Sequence, residues 1–219
     1  MSLVPFAYPV LLELAGRRCV VVGERAVREG KVEALLEAGA HDVLVVAEGP
    51  KAHLEELARH GVRVRRRGWV PADLDGAFLV VGWSPRESDR ERLAAEARAR
   101  GALVNVIDDV GRCDFASPAV VRRGQLVLAV GTGGSSPALA RKLREELDRR
   151  FGPHWAVLVD VLRELRARTL PLLPDLPERS RRWAEALDLE EAERMVIEGR
   201  TEELREVLLL RLSGAGAGA

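Results

Sequence analysis

Short runs that are apolar at every position alternate, in the first half of this chain, with longer stretches of helical spacing. A strand with no polar face must be buried on both sides, which points to a parallel sheet covered by helices. Cys19-Val20-Val21-Val22 and Val43-Leu44-Val45-Val46 are two such runs. Between them Val32, Leu35 and Leu36 fall at i, i+3 and i+4, so the spacing predicts a helix over 27–38 with Gly39 at its stop. The alternation continues with a helix over 51–60, strands at 62–64 and 78–81, a helix over 86–100 and a strand at 103–107. The expected fold class is α/β, with a five-strand Rossmann-like parallel sheet in residues 1–112.

Beyond Asp109 the pattern changes. Ala119-Val120-Val121 and 126–130 flank Gly124 as an antiparallel pair. Ser135-Ser136-Pro137 then starts a helix to about Arg150 on the stripe Leu139, Leu143, Leu147. These form a small α+β segment over 113–150. Helices over 154–167, 177–187 and 201–212, separated by the 171–174 proline stretch and Gly199, make a helical module over 151–212, and the Gly/Ala-rich tail 213–219 is expected to be flexible.

Among 219 residues, 34 basic and 34 acidic side chains cancel, so no global field draws the chain to nucleic acid or an anionic membrane. No segment reaches the roughly 18 apolar residues that span a bilayer, and Met1 to Pro5 carry no basic leader. Cys19 and Cys113 do not make a disulfide framework, and a cytoplasmic protein is expected. The four histidines, His41, His53, His60 and His154, lack ligand spacing, so no permanent metal site is expected. Trp69, Trp83, Trp155 and Trp183 have no regular spacing and read as packing residues.

Gly23 follows the first strand directly, where a dinucleotide pyrophosphate meets backbone N–H groups. Only this glycine of the G-x-G-x-x-G fingerprint is present, followed by Glu24, Arg25, Ala26, Val27 and Arg28. Two readings fit: a turn glycine alone, or a phosphate site to which Arg25 supplies a cation. Glu48 lies beyond the second strand, 25 residues after Gly23. It is either a surface carboxylate or the acid that bonds an adenosine ribose and favours NAD over NADP.

The order of features Asn105-Val106-Ile107-Asp108-Asp109, Cys113-Asp114-Phe115 and Gly131-Thr132-Gly133-Gly134-Ser135-Ser136-Pro137 is unusual for a plain Rossmann protein. The stretch from Val104 to Arg144 resembles the precorrin-2 dehydrogenase family, which includes the N-terminal part of siroheme synthases. Tyr8-Pro9-Val10, Gly16-Arg17, Gly39-Ala40 and Glu198-Gly199-Arg200-Thr201 extend the resemblance over nearly the whole chain. It implies NAD-dependent oxidation of precorrin-2 to sirohydrochlorin in siroheme biosynthesis, with ferrochelation as a second activity in bifunctional members. It also implies a homodimer formed through 113–150, and a substrate held between the Rossmann and helical parts.

Carried onto this sequence, the family's proton-transfer aspartate is Asp108, whose bland alternative is a turn cap. The cofactor set is Gly23, Arg25, Ala26, Val27, Ala47, Glu48 and Ser84, and the substrate set is Asn105, Thr132, Gly133 and Gly134. The glycine block reads equally as chain geometry with a serine cap. Gly23-Glu24-Arg25 stands where the family has three glycines, and Ser84-Pro85-Arg86 where it has a Thr-Asp-Asp-like turn. Both departures fall at the cofactor, which keeps two rivals open: a chelatase without redox activity, and a non-catalytic protein that binds a tetrapyrrole or nucleotide.

Overall fold

A computed structural model describes residues 8–213. The chain divides into two compact units, Met1–Ser117 and Pro118–Ala219. The leader expectation at 1–5 and the tail at 214–219 lie outside the described residues.

The first unit is a five-stranded parallel sheet in the order β3-β2-β1-β4-β5. Its strands are β1 (Arg18–Val22), β2 (Asp42–Val46), β3 (Arg63–Arg65), β4 (Leu79–Gly82) and β5 (Leu103–Val106). Alternate residues of the central strands feed two cores. Cys19, Val21, Val43 and Val45 pack with α1 (Glu24–Arg28), α2 (Lys31–Glu37) and α3 (Lys51–Arg59). Val20, Val22, Leu44 and Val46 pack on the other face with Leu93, Ala94 and Ala97 of α4 (Glu87–Ala99). Val20 and Val21 are fully buried, and each such side chain contributes roughly 1.5–3 kcal/mol. This is why the runs with no polar face are the strands of the middle.

The helix expected over 27–38 is two helices. Gly30 takes a left-handed φ of 69° between them, and the Gly30 N–H closes α1 on the Val27 carbonyl at 3.1 Å. A left-handed residue cannot continue a right-handed helix, so the chain turns there. The remaining elements of this unit agree with expectation to within a residue or two at their ends.

Asp73 is the buried charge of this unit. It is wholly inaccessible and accepts from Arg67 Nη1 and Nη2, both at 2.7 Å, from the Val70 N–H at 2.8 Å, and from Arg65 of β3. Arg67, with the Val70 N–H and Arg65, holds its carboxyl far below the usual carboxylate range against the cost of burial. One side chain thus ties the edge strand to the turn that leads into β4.

The chain after β5 folds back onto it. The Val104 N–H donates to Asp114 Oδ2 at 2.9 Å, the Asp114 N–H to the Val104 carbonyl at 2.7 Å, and Asn105 Nδ2 to the Phe115 carbonyl at 2.8 Å. These bonds put 113–117 in the first unit, where the sequence alone suggests a division at 112.

The second unit opens with the antiparallel hairpin of β6 (Ala119–Arg123) and β7 (Leu126–Val130), followed by α5 (Pro137–Arg150), α6 (His154–Thr169), α7 (Leu176–Ala186), α8 (Leu189–Ile197) and α9 (Thr201–Ser213). Trp155, Leu158, Val161 and Leu165 pack with Met195, Val196, Leu204 and Leu208 to form its core. Arg123 of β6 donates to the Phe151 carbonyl at 2.7 Å, which ties the hairpin to the start of the helices within this unit. Helix α8 has no counterpart among the expected elements. It starts at an aspartate cap, Asp188, only two residues after α7 ends, too soon for a loop signal to separate two periodic stretches. Glu193 of α8 accepts from Arg150 Nη1 at 2.7 Å and Trp155 Nε1 at 3.1 Å, and lies 2.9 Å from His154 Nε2. Arg150, with His154 and Trp155, holds its carboxyl down at about 2.

Asp73→Ala is expected to destabilise the chain by about 2–3 kcal/mol at neutral pH, because four donor groups of three residues lose a charged acceptor. A carboxyl whose folded pKa is depressed stabilises fully above its unfolded value and loses that contribution in acid, so the deficit is complete above about pH 4 and shrinks below it. Urea unfolding of wild type and variant at pH 7 and pH 3 measures this; a deficit under about 0.5 kcal/mol at pH 7 contradicts the assignment.

Candidate functional site

The strand order reverses between β1 and β4, and the loops leaving these two strands meet at the C-terminal edge of the sheet. In open α/β sheets this switch point is where ligands bind. Gly23 leaves β1 with a φ of 90°, its N–H bonded to the Val46 carbonyl at 2.9 Å. Trp83 leaves β4 with its N–H bonded to the Val22 carbonyl at 3.0 Å. A Cβ on Gly23 would run into the Trp83 carbonyl oxygen. Glycine is therefore required here by contact as well as by φ, and the turn is not a generic one.

Arg25 joins the two sides of this edge. Its guanidinium lies 5.3 Å from the centroid of the Trp83 ring, its Nε donates to Glu29 Oε1 at 2.6 Å, and its Nη2 donates to Asp108 Oδ2 beyond β5. Three expected site residues, Gly23, Arg25 and Asp108, thus come together. Trp83, expected only to pack, belongs with them; the sequence signal for it was its place directly after a central strand.

Asp108 has a φ of 59°, the one positive φ at a non-glycine position among the described residues. Strain of this kind persists where the surroundings impose it. The constraint comes from its neighbours: the Ile107 N–H bonds the Gly82 carbonyl at 3.0 Å, and the Asp109 carboxylate accepts from Arg90 Nε at 3.2 Å and Arg112 Nη1 at 2.8 Å. Asp109 is committed to these arginines, whereas the Asp108 side chain is 68% exposed.

A pocket of about 200 Å³ opens beside α1 and the end of β2. Val27 and Ala47 of the expected cofactor set line it, together with Glu24, Pro50 and His53, which lie outside that set. His53 Nε2 is buried without a hydrogen-bond partner. Glu48 is exposed in the loop next to Ala47. The side chains of Ala26 and Val27 belong to the core, so only their backbone is left for a ligand. A close-approach glycine at the switch point, a pocket on the β2 side and an orphaned imidazole nitrogen at that pocket fit a dinucleotide.

The other expected residues are more locally engaged. Ser84 Oγ accepts from the Arg86 N–H at 3.3 Å and donates to Asp89 at 3.2 Å. Asn105 has its amide nitrogen on the Phe115 carbonyl. Thr132, Gly133 and Gly134 lie in the second unit. There the Thr132 hydroxyl bridges the backbone of Ser136 at 3.2 Å in both directions, Gly133 and Gly134 take φ of 59° and 80°, and Ser136 caps α5 by accepting from the Leu139 N–H. Among the described residues no group of three or more His, Cys, Asp or Glu side chains is arranged to hold a metal ion, and no helix is long and apolar enough to cross a membrane.

Comparison with known proteins agrees with this geometry. Residues 10–119, half of the chain, match the family model described as putative NAD(P)-binding, and residues 123–150 match that of the sirohaem biosynthesis protein central region. The siroheme synthase of Methylococcus capsulatus is 34% identical over 202 residues, covering 92% of this chain and 42% of that protein. That of Ectopseudomonas mendocina is 35% identical over 208 residues, covering 94% and 44%. The chain belongs to the putative NAD(P)-binding family, followed in sequence by the sirohaem biosynthesis central region. A solved structure, SirC, precorrin-2 dehydrogenase, is similar, with a TM-score of 0.70 at 26% identity, covering 91% of this chain and 98% of that one. The chain spans less than half the length of the siroheme synthases it matches.

Proposed function

We propose that the chain oxidises precorrin-2 to sirohydrochlorin with NAD as the hydride acceptor. The observation that carries this reading is the coincidence, at one sheet edge, of a dinucleotide-type switch point and an exposed carboxylate at Asp108. Similarity along nearly its full length to SirC, precorrin-2 dehydrogenase, supports it. The reaction removes one hydride and one proton from the macrocycle and extends its conjugation. The bound nicotinamide supplies the hydride-accepting carbon.

The chain's own residues do the rest. Asp108 accepts the proton, being both exposed and fixed in backbone. Gly23 would admit the pyrophosphate against the backbone, the main chain at Ala26, Val27, Ala47 and Ser84 would border the cofactor, and Arg25 would supply a cation where the fingerprint has a glycine. Glu48 accepts from the adenosine ribose and repels a 2′-phosphate, giving NAD preference over NADP. Asn105, through its amide oxygen, and the backbone of Thr132, Gly133 and Gly134 bind the substrate and its carboxylates.

Two copies pair through the second unit. Helix α5 buries none of its own residues, and Leu139 and Leu143 on its stripe are 49% and 39% exposed. A helix whose apolar stripe is left uncovered is matched by a second copy in a protein expected to dimerise there. The free thiols Cys19 and Cys113 favour the cytoplasm, and the balanced charge argues against a nucleic-acid or membrane partner.

Anaerobic incubation with enzymatically generated precorrin-2 tests the activity by sirohydrochlorin absorbance. Wild type should turn over with NAD, and Asp108→Asn, which tolerates the left-handed backbone, should lower kcat by at least about 100-fold while still binding NAD. Absent wild-type turnover, or an unaffected variant, contradicts the reading; consumption of sirohydrochlorin with ferrous iron reads the chelatase alternative separately. For the dimer, sedimentation should show two chains for wild type and one for a Leu139→Glu, Leu143→Glu double variant. A wild-type monomer at micromolar concentration counts against the pairing.

A further inference from the structure

Resting on the dinucleotide reading of the Gly23 turn, we propose that Arg25 is a positioning residue that exchanges partners. It holds Asp108 in the free chain and the cofactor's pyrophosphate in the complex, so that cofactor binding releases the carboxylate for proton transfer.

The position of Arg25 makes both partners reachable. It sits two residues after the close-approach glycine, over the Trp83 ring, with Asp108 at one end of its guanidinium and Glu29 at the other. Helix α1 spans five residues, so little of the phosphate's charge is met by helix N–H groups and macrodipole. A guanidinium is the cation this turn offers instead, and its planar fork suits carboxylate and phosphate oxygens alike.

The existing pair is built to be given up. The Asp108 side chain is 68% exposed and that of Arg25 30%, and ion pairs this open are weak. A pyrophosphate carrying two negative charges competes with Asp108, a carboxylate that water solvates well, for one end of a guanidinium whose Nε stays on Glu29. The two partners also differ in freedom. Asp108 is fixed by its left-handed backbone and by Asp109 bound to Arg90 and Arg112, whereas Arg25 is a long side chain on a short helix. Exchange therefore moves the arginine and leaves the carboxylate where it is. In the free chain Asp108 is occupied by a cation; once the dinucleotide is seated, it is open to the substrate's proton. Cofactor binding thus precedes proton transfer.

A double-mutant cycle on NAD affinity, measured by calorimetry on the full chain, tests this. Asp108→Asn keeps size and tolerates the left-handed backbone. It should bind NAD roughly 2- to 5-fold more tightly than wild type, since the end of the guanidinium that faces the phosphate no longer has to leave a carboxylate. Arg25→Gln should bind at least about 10-fold more weakly. In the Arg25→Gln background, Asp108→Asn should change the affinity by less than about 2-fold. Unchanged or weaker binding by Asp108→Asn overturns the exchange, and so does a tightening that persists without Arg25, which would mark direct repulsion between carboxylate and phosphate. If wild type binds neither NAD nor NADP, the dinucleotide reading falls and the exchange with it; in every other outcome that reading stands independently. Equal melting temperatures of the four proteins separate these effects from a folding role, which would move affinity in one direction only.

Discussion

Where the sheet reverses its winding, the backbone of Gly23 passes so close to the Trp83 carbonyl that no side chain fits between them. That approach depends on β1 lying between β2 and β4, with the Gly23 N–H bonded to one neighbour's end and the Val22 carbonyl receiving the Trp83 N–H from the other. The burial of Val20, Val21, Leu44, Val45 and Val80 within the two cores holds those strands in register. From this contact follow the position of the indole beside the turn, the seat of Arg25 over it, and the reach of Arg25 to Asp108. A rigid, wholly apolar sheet centre thus carries a polar edge whose geometry it fixes without supplying its chemistry.

The charged residues of the first unit divide by what surrounds them. Asp73 and Asp109 are enclosed and saturated by arginines; their work is to hold an edge strand and the loop after β5. Asp108, next in sequence to Asp109, is exposed and carries only the Arg25 contact. Adjacent carboxylates with different partners have different uses, and the strained φ of Asp108 lies on the one left open.

The sheet was legible in the sequence because short apolar runs rich in valine and alternating with longer helical spacing mark strands buried on both faces, as 19–22 and 43–46 illustrate. The break at Gly30 was not, since a single glycine within helical spacing is also tolerated inside a helix. Helix α8 was hidden because its start abuts the end of α7. The places of Gly23 and Asp108 directly after strands were legible, the first from its position after a central run and the second from the expected last strand of the sheet. Their connection through Arg25 was not, because it joins residues 83 positions apart that only the strand order brings together. The engagement of Asn105 with Phe115 and of Thr132 with Ser136 likewise depends on how each loop closes, which residue type alone does not fix.

The central claim is that a dinucleotide sits on the edge formed by Gly23, Trp83 and the β2 pocket. Amide hydrogen exchange with and without saturating NAD tests it most directly. The account predicts slowed exchange at 23–28 and 47–54, on the turn after β1 and the pocket wall, with the helices of the second unit far less affected. Binding that leaves both segments unprotected, or protects only residues beyond 118, would contradict it.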